Sequence, residues 1–360
     1  MKKNSITDNA VFTVSIDKDN YQEEIRYSEL FDSLEYIILE TSDNVLIKEL
    51  SQIKYADDKI FVLDKSTQSL FSFDRKGKLI WKIQNIGQGP KEYSQLMDFD
   101  IDEKNNQIFL FSRHEKIQVY DFSGQFINEY RIPLRGISFS SNDNKLYLYS
   151  GNRANLINGK NENYGLLFIK ESTVLKGELP FKEELPSVMI YNSPNAFCKY
   201  DNEVRFFMPF LTNIYSIKGD SLYVKYYFDF GKFNLPADYF DNHTVDDLNK
   251  SQYAYGLNSY SENQKYCFFK INCNQQSYTV IYFKDQQKVL CYEKFMDDIA
   301  YCFPAIYQAT NDYFIGARYA EDLFMEYNYS KEKRKNTLLK KIISEITEDN
   351  NPVLFFCHLK

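Results

Sequence analysis

Along most of the chain apolar and polar residues alternate with a period of two, in runs of five or six, and a short polar turn precedes many of these runs. Asp57-Asp58 precedes KIFVL, Asn105-Asn106 precedes QIFLF, and Asp143-Asn144 precedes KLYLY. Asp201-Asn202 precedes EVRFFM, Glu262-Asn263 precedes QKYCFF, and Asn311-Asp312 precedes YFIGA. Asn and Asp tolerate left-handed backbone and close tight hairpins, so each site predicts two strands joined by a turn. Successive turns lie 48, 38, 58, 61 and 49 residues apart, the period of a four-stranded unit with connections of variable length.

A second turn recurs in the same register. Asp74 to Gly77 separates SLFSF from LIWKI, and Asp121 to Gly124 separates KIQVY from FINEY, 47 residues later. Each unit is therefore a hairpin, a connection, a second hairpin and a connection. A four-stranded antiparallel sheet has two faces to bury and two edges to hide, and radial stacking of such sheets answers both needs. The last unit, YFIGARYA through PVLFFCHLK, supplies only three strands, while LEYIILE (34–40) has no partner of its own. The expected fold is thus all-β: a six-bladed β-propeller spanning 34–360, closed by an N-terminal strand that completes the last blade. Residues 1–33 form a lead-in. Two separate β-sandwiches would also give short strands, but not one recurring turn pattern with orphan strands at opposite ends.

Composition supports this. Of the 360 residues 44% are hydrophobic, with 30 Tyr and 30 Phe, types that suit a pleated half-buried surface. The formal charge is −7, and without a basic stripe no nucleic-acid footprint is expected. The lysine-rich stretch 331–341 reads as the solvated face of a helix. Six cysteines (Cys198, Cys267, Cys273, Cys291, Cys302, Cys357) show no close ligand pairs, and only three histidines accompany them, so they read as small buried hydrophobes. No run is long enough to span a membrane, and MKKNSITDNAVFTV lacks the apolar core of a signal peptide.

The run FDSLEYIILETSD, then LSQIKYADDKIFVLD, then LFSFDRKGKLIWKI with IGQGPKEY resembles a six-bladed propeller family abundant in Gram-negative gut bacteria, of the NHL- and TolB-like type. In that family a GxGPxEY stretch follows the first blade; here it is Gly87, Gly89, Pro90, Glu92 and Tyr93. FFMPFLTNIYSI, YYFDFGKFNLP and EDNNPVLFFCHLK extend the resemblance over the whole chain. It implies a protein of unassigned function in the cell envelope, periplasmic or lipoprotein-anchored, although this sequence shows no such leader.

The tight turns join first to second and third to fourth strands, so the length variation lies in the other two connections. These are 152–163, 209–212 and 321–351 within blades, and 84–95, 180–195, 231–256 and 294–300 between blades. Both kinds leave an up-and-down blade on the same side, which marks the expected binding face. Helical inserts are expected near 237–250 and 322–348; in the latter, Leu338, Leu339, Ile342, Ile343 and Ile346 form an apolar stripe.

GQGPKEY is not a phosphate loop, since it lacks the Lys-Ser/Thr ending and leads into a strand. Its glycines are expected to permit positive φ and Pro90 to stiffen the passage, with Glu92 and Tyr93 facing the central mouth. Asp98, Asp100 and Asp102 fall on one face of a strand and are candidates for calcium in a lactonase-like site. Three unpaired carboxylates would repel, so part of the set is expected to be solvated at the turn. Arg113 and His114 lie in a loop without a partner that would make a nucleophile–base pair.

These features point to a non-catalytic, monomeric binding propeller that takes a peptide, glycan or protein on the insert-bearing face, with no cofactor. Glu92, Tyr93, Arg113, His114, Tyr164, Tyr191 and Tyr255 are its candidate contacts, aided by Tyr239, Phe240, Tyr253 and Tyr260. The alternative is a metal-dependent hydrolase or lyase at the channel mouth; an inert structural module is a third.

Overall fold

A computed structural model of the chain describes residues 11–113, 116–182 and 195–360. Six antiparallel sheets form the blades of one propeller: residues 52–83, 96–131, 138–180, 197–229, 255–296, and the last from 305–318, 353–359 and the N-terminal strand. The six innermost strands are Gln52–Ala56, Leu96–Asp102, Ser138–Asn142, Phe197–Tyr200, Tyr255–Glu262 and Ala305–Ala309. Each approaches the next around the axis, closing a ring.

The turn chemistry carries the topology. Asp57-Asp58, Asp143-Asn144 and Asp201-Asn202 all take left-handed backbone at both positions, the pair of positive φ values a type I′ hairpin demands. The other three turns close differently. Only Asn106 is left-handed in its pair. Asn263 instead accepts from the Lys265 and Tyr266 amides at 2.9 and 2.7 Å, and Thr310 Oγ1 accepts from those of Asp312 and Tyr313. Polar side chains there replace left-handed backbone.

Before the first complete blade lie β1 (Phe12–Ser15), β2 (Tyr21–Arg26), α1 (Tyr27–Leu30) and β3 (Phe31–Ile38). β3 lies antiparallel to Val353–Leu359, from Val353 opposite Ile38 to Leu359 opposite Phe31. The N-terminal strand thus supplies the outer strand of blade 6, and the ring is closed by pairing between chain ends. β1 adds a fifth, parallel strand to the outer edge of blade 4, and β2 does the same for blade 5. Both segments fall in the stretch read as a lead-in: FTVS alternates but is only four residues long, and YQEEIR carries a single buried apolar residue, Ile25.

The recurring Asp-x-x-Gly turn is a clasp between blades. Asp74 Oδ1 accepts from the Lys76 and Lys78 amides, and Asp121 Oδ1 accepts from those of Ser123 and Gln125. Gly77 and Gly124 follow at φ +79° and +80°. In blade 2 this turn lies on the outer strand of blade 1: Trp81 Nε1 donates to the Phe122 carbonyl at 3.0 Å, and a Cβ on Gly124 would meet the Trp81 ring at 2.9 Å. In blade 1 the same turn lies on β3, with the Glu40 amide donating to the Gly77 carbonyl at 2.8 Å. Arg75 adds a 2.8 Å ion pair to Glu35 and stacks 3.5 Å from the Phe356 ring centre. The closing seam uses the same device as an internal one.

The expected helical inserts are present. α2 (Val245–Asn249) follows a short 3-10 turn at Tyr239–Asp241, and blade 6 carries α3 (Ala320–Tyr329) and α4 (Thr337–Glu345) between its second and third strands. The apolar stripe of α4 packs onto the disc through buried Leu339 and Ile342.

Candidate functional site

Connections longer than a hairpin turn gather on one side of the disc, since second-to-third-strand and blade-to-blade links leave an up-and-down sheet together. They include 39–51, 84–95, 150–163, 230–254, 297–304 and 319–352. Within the blades the long connections belong to blades 3 and 6; blades 1 and 4 have short links at 65–68 and 208–212, and in blade 5 Asn274 and Gln275 form a two-residue left-handed turn.

The 84–95 connection is built around one carboxylate. Glu92 Oε2 accepts from the Gly89 amide at 2.7 Å, and a side chain on Gly87 would occupy the place of the Glu92 carboxylate. Gly87 and Gly89 are therefore small for close approach, and neither has the positive φ expected of it; the left-handed residue is Lys91, at φ +64°. Tyr93 does not face the mouth. It is fully buried, and its hydroxyl donates to the Gln68 carbonyl at 2.7 Å, which makes it a core residue of the seam between blades 1 and 2.

The other candidates are dispersed. Arg113 donates to the Gln95 side chain at 3.1 Å, Tyr255 donates to Asn249 Oδ1 at 3.1 Å, and Tyr164 is half-buried with its ring over Gly177. Tyr239 is buried and stacks on His243; Tyr260 is buried beside Glu262. His114 and Tyr191 lie outside the described residues.

Around the axis, polar side chains of the inner strands and their turns reach to other blades. Ser138 Oγ donates to Asp98 Oδ2 at 2.9 Å, Ser140 and Ser141 donate to Asp100, Asn142 to the Asn202 carbonyl, Asn263 to the Thr310 carbonyl, and Gln308 bonds both backbone groups of Tyr55. Asp98, Asp100 and Asp102 are all buried, contrary to the expectation of solvated carboxylates. Neighbours rather than water resolve their repulsion. Asp102 accepts from the backbone and side chain of Asn105 as a turn cap. Asp100 is held by Lys54 and by Lys199, whose Nζ lies 2.7 Å away and also donates to the Ile101 carbonyl at 2.6 Å.

Electrostatics differ sharply along this strand. Burial raises the Asp98 carboxyl above its ordinary range. Burial also pushes Asp100 up, but the ammonium groups of Lys199 and Lys54 outweigh it and hold that carboxyl well below the usual range. Lys199 is itself lowered, first by burial and with Lys54 adding like-charge repulsion, while Asp100 opposes both. Its side chain is 37% exposed while the Asp100 carboxylate it holds is buried. The space a cation would need beside Asp100 is taken by lysine. Among the described residues no group of three or more His, Cys, Asp or Glu side chains could hold a metal.

A second buried network joins blades 4 and 5. Arg205 pairs with Glu262 at 2.6 Å and Glu203 at 2.8 Å, and Lys284 reaches Glu262 at 2.6 Å. Sequence reasoning missed Lys54, Lys199, Arg205 and Lys284, which carry no motif. Their one signal is a charge inside an otherwise apolar strand or just beyond its end.

The family model of a domain of unknown function, DUF4934, matches residues 11–358. The chain belongs to the DUF4934 family. No curated protein matches its sequence. A structure from Bacteroides fragilis named "Putative exported protein" superposes on this DUF4934 chain with a TM-score of 0.79 at 19% identity, covering 98% of this chain and 100% of that one. A member of the duf4221 family from Bacteroides vulgatus superposes with a TM-score of 0.52 at 12% identity, covering 92% and 98%. Both likenesses concern the fold. No helix of the described DUF4934 residues is long and apolar enough to cross a membrane.

Proposed function

We propose that this DUF4934 propeller is a non-catalytic binding module of the bacterial cell envelope that holds a peptide, glycan or protein across its insert-bearing face. The observation that carries this reading is the one-sided distribution of connections. The opposite face is made of hairpin turns with little surface to vary, whereas the insert face displays half-buried Tyr164, Tyr253 and Tyr255 and exposed Arg113. The charges near the axis favour the same side, because Asp100, Lys54 and Lys199 are engaged with one another and not arranged around an open site. The envelope placement is supported by the name of the B. fragilis protein that shares the fold.

A glycan and peptide binding screen tests it, repeated with Tyr253→Ala and Tyr255→Ala on the insert face and with Lys145→Ala near the hairpin turns. Loss of a hit on the insert-face changes alone is the expected result. A hit removed only by Lys145→Ala would place binding on the wrong side. Turnover of a lactone or ester would replace the reading with the hydrolase alternative.

A further inference from the structure

Blades 4 and 5 each have four strands of their own, so neither needs β1 or β2 to complete its sheet. What the two strands do is lead the chain around the rim one blade at a time. β1 lies on blade 4, β2 on blade 5, and β3 then enters blade 6 as its fourth strand. Attachment tightens along this path. β1 makes four residue pairs and buries Val14 alone, while Phe12 is 44% exposed. At the crossing to blade 5, Asn20 Nδ2 donates to the Val289 carbonyl at 2.9 Å, and Tyr21 packs edge-on against Tyr278 with ring centres 4.9 Å apart. β2 buries Ile25 and pairs Glu23 with Lys294 at 3.0 Å. α1 is held most firmly. Its Tyr27 and Leu30 are buried, Ser28 donates to Asp298 through its amide at 2.9 Å and its hydroxyl at 2.6 Å, and the Lys360 amide donates to the Leu30 carbonyl at 3.1 Å.

The path matters for β3, the strand that closes the ring. A closing strand at a loose chain end frays from that end, because fraying costs almost nothing there. β3 has no loose end. On one side it runs on into blade 1, with the Glu40 amide on the Gly77 carbonyl at 2.8 Å. On the other it continues back into α1 and β2, which are fixed to blade 5 and to the link between blades 5 and 6. If β3 lifts, these two attachments keep it beside its place on Val353–Leu359, and a short tether favours reclosure over escape.

We propose that residues 12–30 are a strap that latches the closing strand, and that the ring opens by release of β1, then β2, then β3. The order follows from the anchors: one buried side chain holds β1, whereas α1 combines two buried side chains with bonds to Asp298 and Lys360. The strap turns the weakest point of a closed ring, the pairing of its two chain ends, into an internal joint. This device holds whatever the insert face binds.

Native-state hydrogen exchange of the full chain, read by mass spectrometry, tests it strand by strand. Val14→Ser with Tyr21→Ser loosens the strap at side chains that pack in the core shared by blades 4 and 5, whereas Phe31, Leu34 and Ile37 of β3 pack elsewhere. The amides of β1 and β2 are expected to lose protection first. Those of β3 should then exchange about tenfold or more faster relative to blade 2, the factor that about 1.4 kcal/mol of lost anchoring gives. Val119→Ala, a core change in blade 2, is the control for general destabilisation and should move β3 only in step with the other blades. Free exchange of β1 and β2 with β3 still protected would overturn the proposal, since the strap would then be an ornament on the rim. A uniform shift of all blades in the double variant, matching the control, would overturn it too, as would unchanged protection of β1 and β2.

Discussion

Gly77→Ala attacks the point where the ring closes. The residue sits at φ +79°, where a Cβ costs about 1 kcal/mol. The added methyl would also fall on the Ile38 carbonyl oxygen, a backbone atom of the closing strand that cannot step aside alone. Relieving that overlap pulls β3 away from the turn. Two hydrogen bonds then weaken, Glu40 amide to Gly77 carbonyl at 2.8 Å and Leu79 amide to Glu40 Oε2 at 3.2 Å, each contributing about 1 kcal/mol. The expected loss is about 3 kcal/mol, or about 5 °C in melting midpoint for a chain of this size.

Gly219→Ala is the matched control. Gly219 also has positive φ, at +60°, but an added Cβ there meets nothing within 4 Å. It should lose about 1 kcal/mol from backbone strain alone. Urea midpoints of both variants, followed by tryptophan fluorescence from the single Trp81 and by far-UV circular dichroism, separate strain from seam. Equal midpoints for the two variants would show that the contact with β3 adds nothing, and the account of closure would fail. Gly124→Ala, which meets the Trp81 ring, should resemble Gly77→Ala if both seams share one device.

Removing residues 1–40 takes the outer strand from blade 6 and the added strands from blades 4 and 5; a lower melting midpoint with aggregation is expected, and unchanged melting would refute closure by β3. Asp100→Asn should flatten acid unfolding: a carboxyl depressed by Lys199 and Lys54 contributes stability that is complete above the ordinary range near about pH 4 and is lost as pH falls toward its folded value, so an unchanged acid limb refutes the pairing. Asp297→Asn removes part of a carboxylate that accepts from the amides of Ile299, Ala300, Cys302 and Phe303, at a cost of about 2 kcal/mol read from urea midpoints. Native alkylation should reach Cys198 slowly and the five buried thiols only after unfolding, because burial raises their pKa; rapid labelling of Cys267 or Cys357 would contradict their placement.

The ring and its closure were legible because they rest on short-range chemistry: period-two alternation, Asp and Asn at left-handed turns, and a strand without a partner at each end. The wrong details share a different cause. Gly87 is small because of Glu92, five residues on, and nothing in a glycine's letter separates close approach from positive φ. Tyr93 reads as a loop residue beside a mouth, and only the packing of blades 1 and 2 shows it buried. Lys199 reaches from blade 4 to a carboxylate of blade 2, a meeting created by the ring's geometry and invisible to spacing. β1 and β2 each bury a single apolar residue of their own, Val14 and Ile25, and join their blades as outer parallel strands through main-chain pairing, which spacing along the sequence does not reveal.

The seams also bear on where the function can vary. Blade 1 grips β3 and blade 2 grips Trp81 through turns on the hairpin side of the disc, opposite the long connections. The Asp100–Lys199 pair and the buried Arg205–Glu262 pair likewise belong to the blades themselves. Some connections join that framework, as Tyr93 of 84–95 and Leu339 and Ile342 of α4 do, but a change on the exposed side of α3 that leaves Ala320 and Leu323 in place need not disturb the ring. Exposed insert residues outside those packing contacts are free to specialise for a ligand. Exposed Met325 and Tyr329 are of that kind: they lie on the solvent side of α3, above buried Ala320 and Leu323, and add nothing to the core beneath them.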